Sequence, residues 1–118
     1  EPQDDGLTPD KIFDRQWAVG LVMRVISRFE TECRNTDKAA HCDIFLQRII
    51  APILHGAREQ PLADLGAKYG ITEKQAGNCL LTAKRVYRRM MEDEIRLYAE
   101  TEEDVDDEIR ELFLILGQ

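Results

Sequence analysis

The chain has 118 residues, 43% hydrophobic and 33% charged, enough to bury one modest core and not two. A formal charge of −7 and a pI near 4.8 weigh against a uniformly basic nucleic-acid binder. No apolar run approaches the ~20 residues needed to cross a bilayer and no secretion signal opens the chain, so no membrane association and a cytoplasmic location are expected.

Residues 1–7 (Glu1–Leu7) are acidic, contain Pro2 and Gly6, and read as a linker or tail before a domain spanning residues 8–118. Thr8-Pro9 is a helix-start signal, because proline fits the first helical position, where no N–H partner is required. From Asp10, Phe13, Trp17, Leu21, Val25, Phe29 and Cys33 recur every three or four residues, flanked by Ile12, Ala18, Val22 and Ile26. This pattern predicts a long amphipathic helix with Trp17 as a core anchor.

Asn35-Thr36 reads as a break, with Thr36 capping a second helix that carries Ala40, Phe45, Leu46, Ile49, Ile50 and Ile53. Pro52 should kink or end that helix, since it removes a backbone donor. The two histidines, His41 and His55, stand apart, and the adjacent pair His41-Cys42 would point about 100° apart on a helix. No metal site, catalytic pair or cofactor-binding loop is therefore expected, and the chain reads as a non-enzyme. Cys33, Cys42 and Cys79, an odd number without CxxC spacing, are expected to be free and mostly buried thiols.

Leu62–Met91 organises the chain: a short helix, a tight turn and a longer helix whose second half is basic. Gly66 is the small residue where the two helices would cross, Gly70 the turn, and Leu65, Tyr69 and Ile71 apolar brackets around it. Thr72 should cap the second helix, with Ala76, Cys79, Leu80, Ala83, Val86, Tyr87 and Met90 on its buried stripe. The opposite face centres on Lys74, Asn78, Leu81 and Arg85, with Gln75, Arg88 and Arg89 on its flanks. Between Thr72 and Met91 the net charge is +4, where a DNA contact would need it.

The helix is expected to continue through Ile95, Leu97 and Tyr98. Thr101, with Asp104 three residues on, resembles a capping box opening a last helix with Val105, Ile109, Leu112, Phe113 and Leu116 inward. Glu92–Glu111 holds eleven acids against Arg96 and Arg110, a local balance of −9. No strand pattern occurs, so the expected fold is all-α, about five helices containing a helix-turn-helix.

The order of IFDRQWAVGLVMRVISRFETE, IAPIL, LADLGAKYGITEKQAGNCLLTAKRVYRRMMEDEI and VDDEIRELFLIL resembles the C-terminal region-four domain of bacterial RNA polymerase sigma factors, the extracytoplasmic-function-like type most closely. The resemblance covers about Thr8 to Leu116. It implies a helix-turn-helix that recognises the upstream, minus thirty-five promoter element and touches the RNA polymerase core. Region two is not in this chain, so that either residues 1–7 are the tail of an interdomain linker in a longer factor, which their linker-like composition favours, or the domain stands alone. By position, the family's base and phosphate readers fall on Thr72, Glu73, Lys74, Gln75, Gly77, Asn78, Leu81 and Thr82, with Lys84, Arg85, Arg88 and Arg89 further along the DNA backbone. Gly77 stands where the family commonly has Lys or Arg, and Leu81-Thr82 where polar or basic pairs are common. These departures, with the −9 segment, motivate a rival reading: a module of the same fold that binds an anti-sigma-like regulatory protein, with DNA contact weak or lost.

Overall fold

Helical periodicity governs every described element. The computed structural model describes the backbone of residues 9–116 and the side chains of residues 15–112 and Leu114. The acidic segment 1–7, Thr8 and the inward positions assigned to Ile12, Phe13, Phe113 and Leu116 lie outside the described residues. The elements are α1 (Pro9–Asn35), α2 (Ala39–Phe45), a π-helical turn (Leu46–Ile50), α3 (Ala51–His55), α4 (Leu62–Ala67), α5 (Glu73–Arg96) and α6 (Glu102–Leu116). Because α2, the π turn and α3 run on without a break, the fold is five helical rods, with no strand among the described residues.

The core sits where α1, α2 and α5 meet. Leu21, Val25 and Phe29 of α1 and Leu80, Ala83 and Tyr87 of α5 are buried against Ile44 and Phe45 of α2. Phe29, Phe45 and Tyr87 form an aromatic cluster with ring centroids 4.9–5.7 Å apart, and the Tyr87 hydroxyl donates to the Val22 carbonyl oxygen at 3.2 Å. Each large side chain so buried is worth about 1.5–3 kcal/mol. Trp17 packs half-buried against this core. No helix among the described residues is long and apolar enough to cross a membrane.

Several local expectations are corrected. Thr36 caps nothing: its hydroxyl and its N–H both bond to the Glu32 carbonyl at the end of α1, and α2 starts at Ala39 without a side-chain cap. Asp37 takes a left-handed conformation (φ 57°) and the Lys38 N–H reaches the Cys33 carbonyl oxygen at 2.9 Å, so a Schellman-type closure ends α1. Pro52 does not end its helix. The π turn just before it widens the ladder, which leaves Pro52 in the first turn of α3, where no donor is needed, and Gly56 (φ 65°) makes the stop after His55.

On α5 the inward stripe continues through Met91 and Ile95, while Met90 is only half-buried. Leu97 and Tyr98 lie past the end of the helix and are exposed, since the chain must turn there toward α6. Thr101 and Asp104 do close a reciprocal cap, Asp104 N–H to Thr101 Oγ1 at 3.0 Å and Thr101 N–H to Asp104 Oδ2 at 3.2 Å.

Candidate nucleic-acid interface

Two contacts set the angle at which α5 leaves α4. A β-carbon at Gly66 would lie 2.9 Å from the Ile71 carbonyl oxygen and 3.1 Å from that of Thr72, so only glycine lets α4 approach this closely. Gly70 turns the chain at φ 68°, a conformation glycine adopts without strain. Leu65 is fully buried and Ile71 half-buried beneath this turn. Tyr69, expected as a third apolar bracket, is instead exposed. Its hydroxyl donates to Asp43, which also receives Lys68 at 3.5 Å, so α4 is tied to α2 by polar contacts. Burial and the bond to Asp43 push the Tyr69 hydroxyl up to about 12.

Thr72 caps α5, and Gln75 completes a capping box that the T-x-x-Q spacing could have signalled. Gln75 is exposed but its amide oxygen accepts from the Thr72 N–H at 2.8 Å, so only its NH2 remains for a partner. A bidentate contact to a base, which needs both ends of the amide, would require this cap bond to break.

Lys74, Asn78, Leu81 and Arg85 form an exposed line along α5, Leu81 being 49% exposed. At 1.5 Å per residue the line runs about 16 Å, somewhat more than the width of a major groove. Lys74 and Arg85 have no acidic partner among the described residues, nor do Lys84 and Arg89. Glu73 is exposed in the first turn.

The remaining assigned residues divide between two flanks. Thr82, half-buried, and Arg89 turn toward the end of α1, where they share a cleft with Arg28, Glu32, Lys38 and Asp93. Lys84 and Arg88 turn the other way, toward α3 and α6. Arg88 Nε donates to Glu92 at 3.1 Å, so its charge is partly answered within its own helix. Gly77 faces Leu62 of α4 with a gap of 3.9 Å for an added β-carbon.

The acidic segment that begins in the last turns of α5 is partly neutralised. Glu94 receives Arg24 and Arg28 of α1, both at 3.4 Å, and Arg96 joins Asp93 at 3.0 Å and Glu102 at 2.9 Å. The bond to Arg96 lowers the Glu102 carboxyl below its ordinary value. Elsewhere, Cys33 and Cys42 are free and buried close to one another. No family model, curated protein or solved structure matches the chain.

Proposed function

We propose that the chain is the promoter-recognition domain of a cytoplasmic RNA polymerase sigma factor, of the region-four kind, which enters a DNA major groove with the first half of α5 while other surfaces meet the polymerase core. The observation that carries this reading is the exposed Lys74–Asn78–Leu81–Arg85 line on a helix capped at its start and backed by α4. Support also comes from the ordered motifs that resemble region four along nearly the whole chain. Lys74 and Asn78 would meet base edges, Leu81 a thymine methyl, and Arg85 with Arg89 the phosphates.

Selection from a randomised duplex library, followed by anisotropy titration across salt concentrations, tests the reading. Expected are an enriched motif and a binding constant that falls steeply with salt. Absence of binding at 50 mM salt, or selection that enriches no motif, would refute it.

A second reading is favoured by Leu81, a large apolar side chain exposed at the centre of the line. On this reading the same face is a protein-docking surface for an anti-sigma-like regulator and DNA contact is weak. Leu81→Ser would then abolish partner capture, whereas on the first reading it changes preference at one base pair only.

A further inference from the structure

A cleft of about 340 Å3 opens between the π turn with α3, the middle of α5 and α6. Phe45, Ile50, Met91, Ile109 and Leu112 make its walls and all belong to the buried core, so the cleft cuts down to the core itself. Ile53, half-buried, stands at its edge. Among the described residues its only charged lining is Lys84 and Arg88, one helical turn apart on α5, while Asp106 and Arg110 line the adjoining space on the α6 side of Arg88. The Tyr87 hydroxyl, the other polar group nearby, is already bonded to the Val22 carbonyl oxygen. Such walls ask for carbon, and such a mouth for negative charge.

We propose that this cleft binds an amphipathic carboxylate, an unbranched medium-chain acyl anion whose chain lies among Phe45, Ile50, Ile53, Met91, Ile109 and Leu112 and whose head meets Lys84 and Arg88. Size selects this occupant over a peptide helix. The volume falls at the small end of the ~300–1,000 Å3 range of small-molecule sites, and a helix ~10 Å across would enter only by its side chains. Charge selects the head group: Lys84 has no acidic partner among the described residues, and Arg88 gives Glu92 only its Nε, leaving its terminal nitrogens to donate. The cleft on the other side of α5 has no such character, because Arg28, Lys38 and Arg89 there face Glu32 and Asp93 across the same space.

Titration calorimetry with octanoate, decanoate and decyltrimethylammonium, below their micelle concentrations, decides the matter. Decanoate should bind at one site, about 15-fold tighter than octanoate, from about fourfold per buried methylene. The Lys84→Gln/Arg88→Gln double variant should weaken decanoate at least tenfold with unchanged circular dichroism, and Ile53→Ser should weaken it with both cations in place. Equal binding of the cationic chain, a stoichiometry well above one, or no saturable heat would overturn the proposal. A second arm rests on the promoter reading, with Lys84 and Arg88 adding outer phosphate contacts to those of Arg85 and Arg89: saturating decanoate should occupy both cations and lower the salt slope of duplex binding by more than 0.9 but less than about 1.8, since Glu92 already takes part of the Arg88 charge. An unchanged slope overturns that coupling alone. If no duplex binds at all, the promoter reading fails while the calorimetry still decides the cleft.

Discussion

The backbone N–H of Thr72 donates to Gln75 Oε1 at 2.8 Å while the N–H of Gln75 donates to Thr72 Oγ1 at 3.0 Å, so the residue that starts α5 and a residue nominated to read bases restrain each other. Two of the four free N–H groups at the helix start are thereby satisfied. Thr72→Ala should cost about 1 kcal/mol in urea denaturation. Gln75→Glu keeps an acceptor in the same place and should leave stability within about 0.5 kcal/mol of the parent. In titrations against single-base variants of a selected duplex, Gln75→Ala should leave the order of preference intact, whereas Lys74→Ala or Asn78→Ala should change it by about 1–3 kcal/mol at one position.

Two glycines of the same unit should respond with opposite signs. A β-carbon at Gly66 would stand 2.9 Å from the Ile71 carbonyl oxygen and 3.3 Å from Ala76 Cβ, against backbone that cannot yield without moving α4. Gly66→Ala is expected to destabilise by about 1–3 kcal/mol. At Gly77, inside α5, an added β-carbon meets nothing closer than Leu62 Cδ1 at 3.9 Å, so Gly77→Ala should stabilise by about 0.5–1 kcal/mol through helix propensity alone. Midpoints of urea unfolding for the two variants should move in opposite directions.

Elements that repeat a simple period were legible in the sequence; contacts between elements were not. The inward stripe of α5 through Ala76, Leu80, Ala83 and Tyr87 follows from 3.6-residue spacing, and Gly66 and Gly70 stand where the turn demands them. Lys74, Asn78 and Arg85 were readable as one outward line for the same reason. Tyr69 misled because its ring reads as apolar while its hydroxyl finds Asp43, a residue 26 positions away that no local pattern connects to it. Pro52 does not end its helix, one of its two expected effects, and the π turn that accommodates it has no recognisable residue signature. The cleft beneath Lys84 and Arg88 arises from four separate stretches of chain, so no window of sequence contains it.

The thiols should sort by burial. Burial, with the neighbouring Cys33 thiol, pushes the Cys42 thiol up to about 12, so the reactive thiolate is scarce there at pH 8. Burial raises Cys33 as well. Cys79 is half-buried on α5. Native protein treated with iodoacetamide at pH 8 should gain at most one adduct by mass spectrometry, and urea-unfolded protein three. Two rapid native adducts would mean that the α1–α2 junction opens on the labelling timescale.

His41 should make the fold acid-sensitive before the carboxylates do. Burial, helped by the charge of Lys38, lowers its pKa below the ordinary 6.5, while Glu32, Asp93, Arg28 and Arg89 line the same cleft. A folded-state pKa below the unfolded one means that the unfolded chain binds the extra proton, so this contribution is complete above about 6.5 and is lost as pH falls through the folded value. The paired Glu102, also lowered, acts only below its ordinary 4.5. Stability should therefore begin to decline as pH falls below about 6.5, before the carboxylates titrate, and His41→Asn should flatten that decline. An identical slope in the variant would locate the sensitive group elsewhere.

Arg85 and Arg88 separate the promoter reading from a generic cationic surface. Arg85 lies in the exposed line with no acidic partner among the described residues; Arg88 is turned toward α6, beside Asp106, and shares its charge with Glu92. A phosphate contact releases about 0.9 counterion per charge neutralised, so Arg85→Ala should reduce the slope of log binding constant against log salt by about 0.9. Arg88→Ala should reduce it less, because part of its charge is already spent on Glu92, and Glu92→Gln should restore Arg88 to the DNA and raise the slope. Equal loss from both arginines would show that duplexes sense only total charge on α5, and the proposal of a fixed α5 register in the groove would fall.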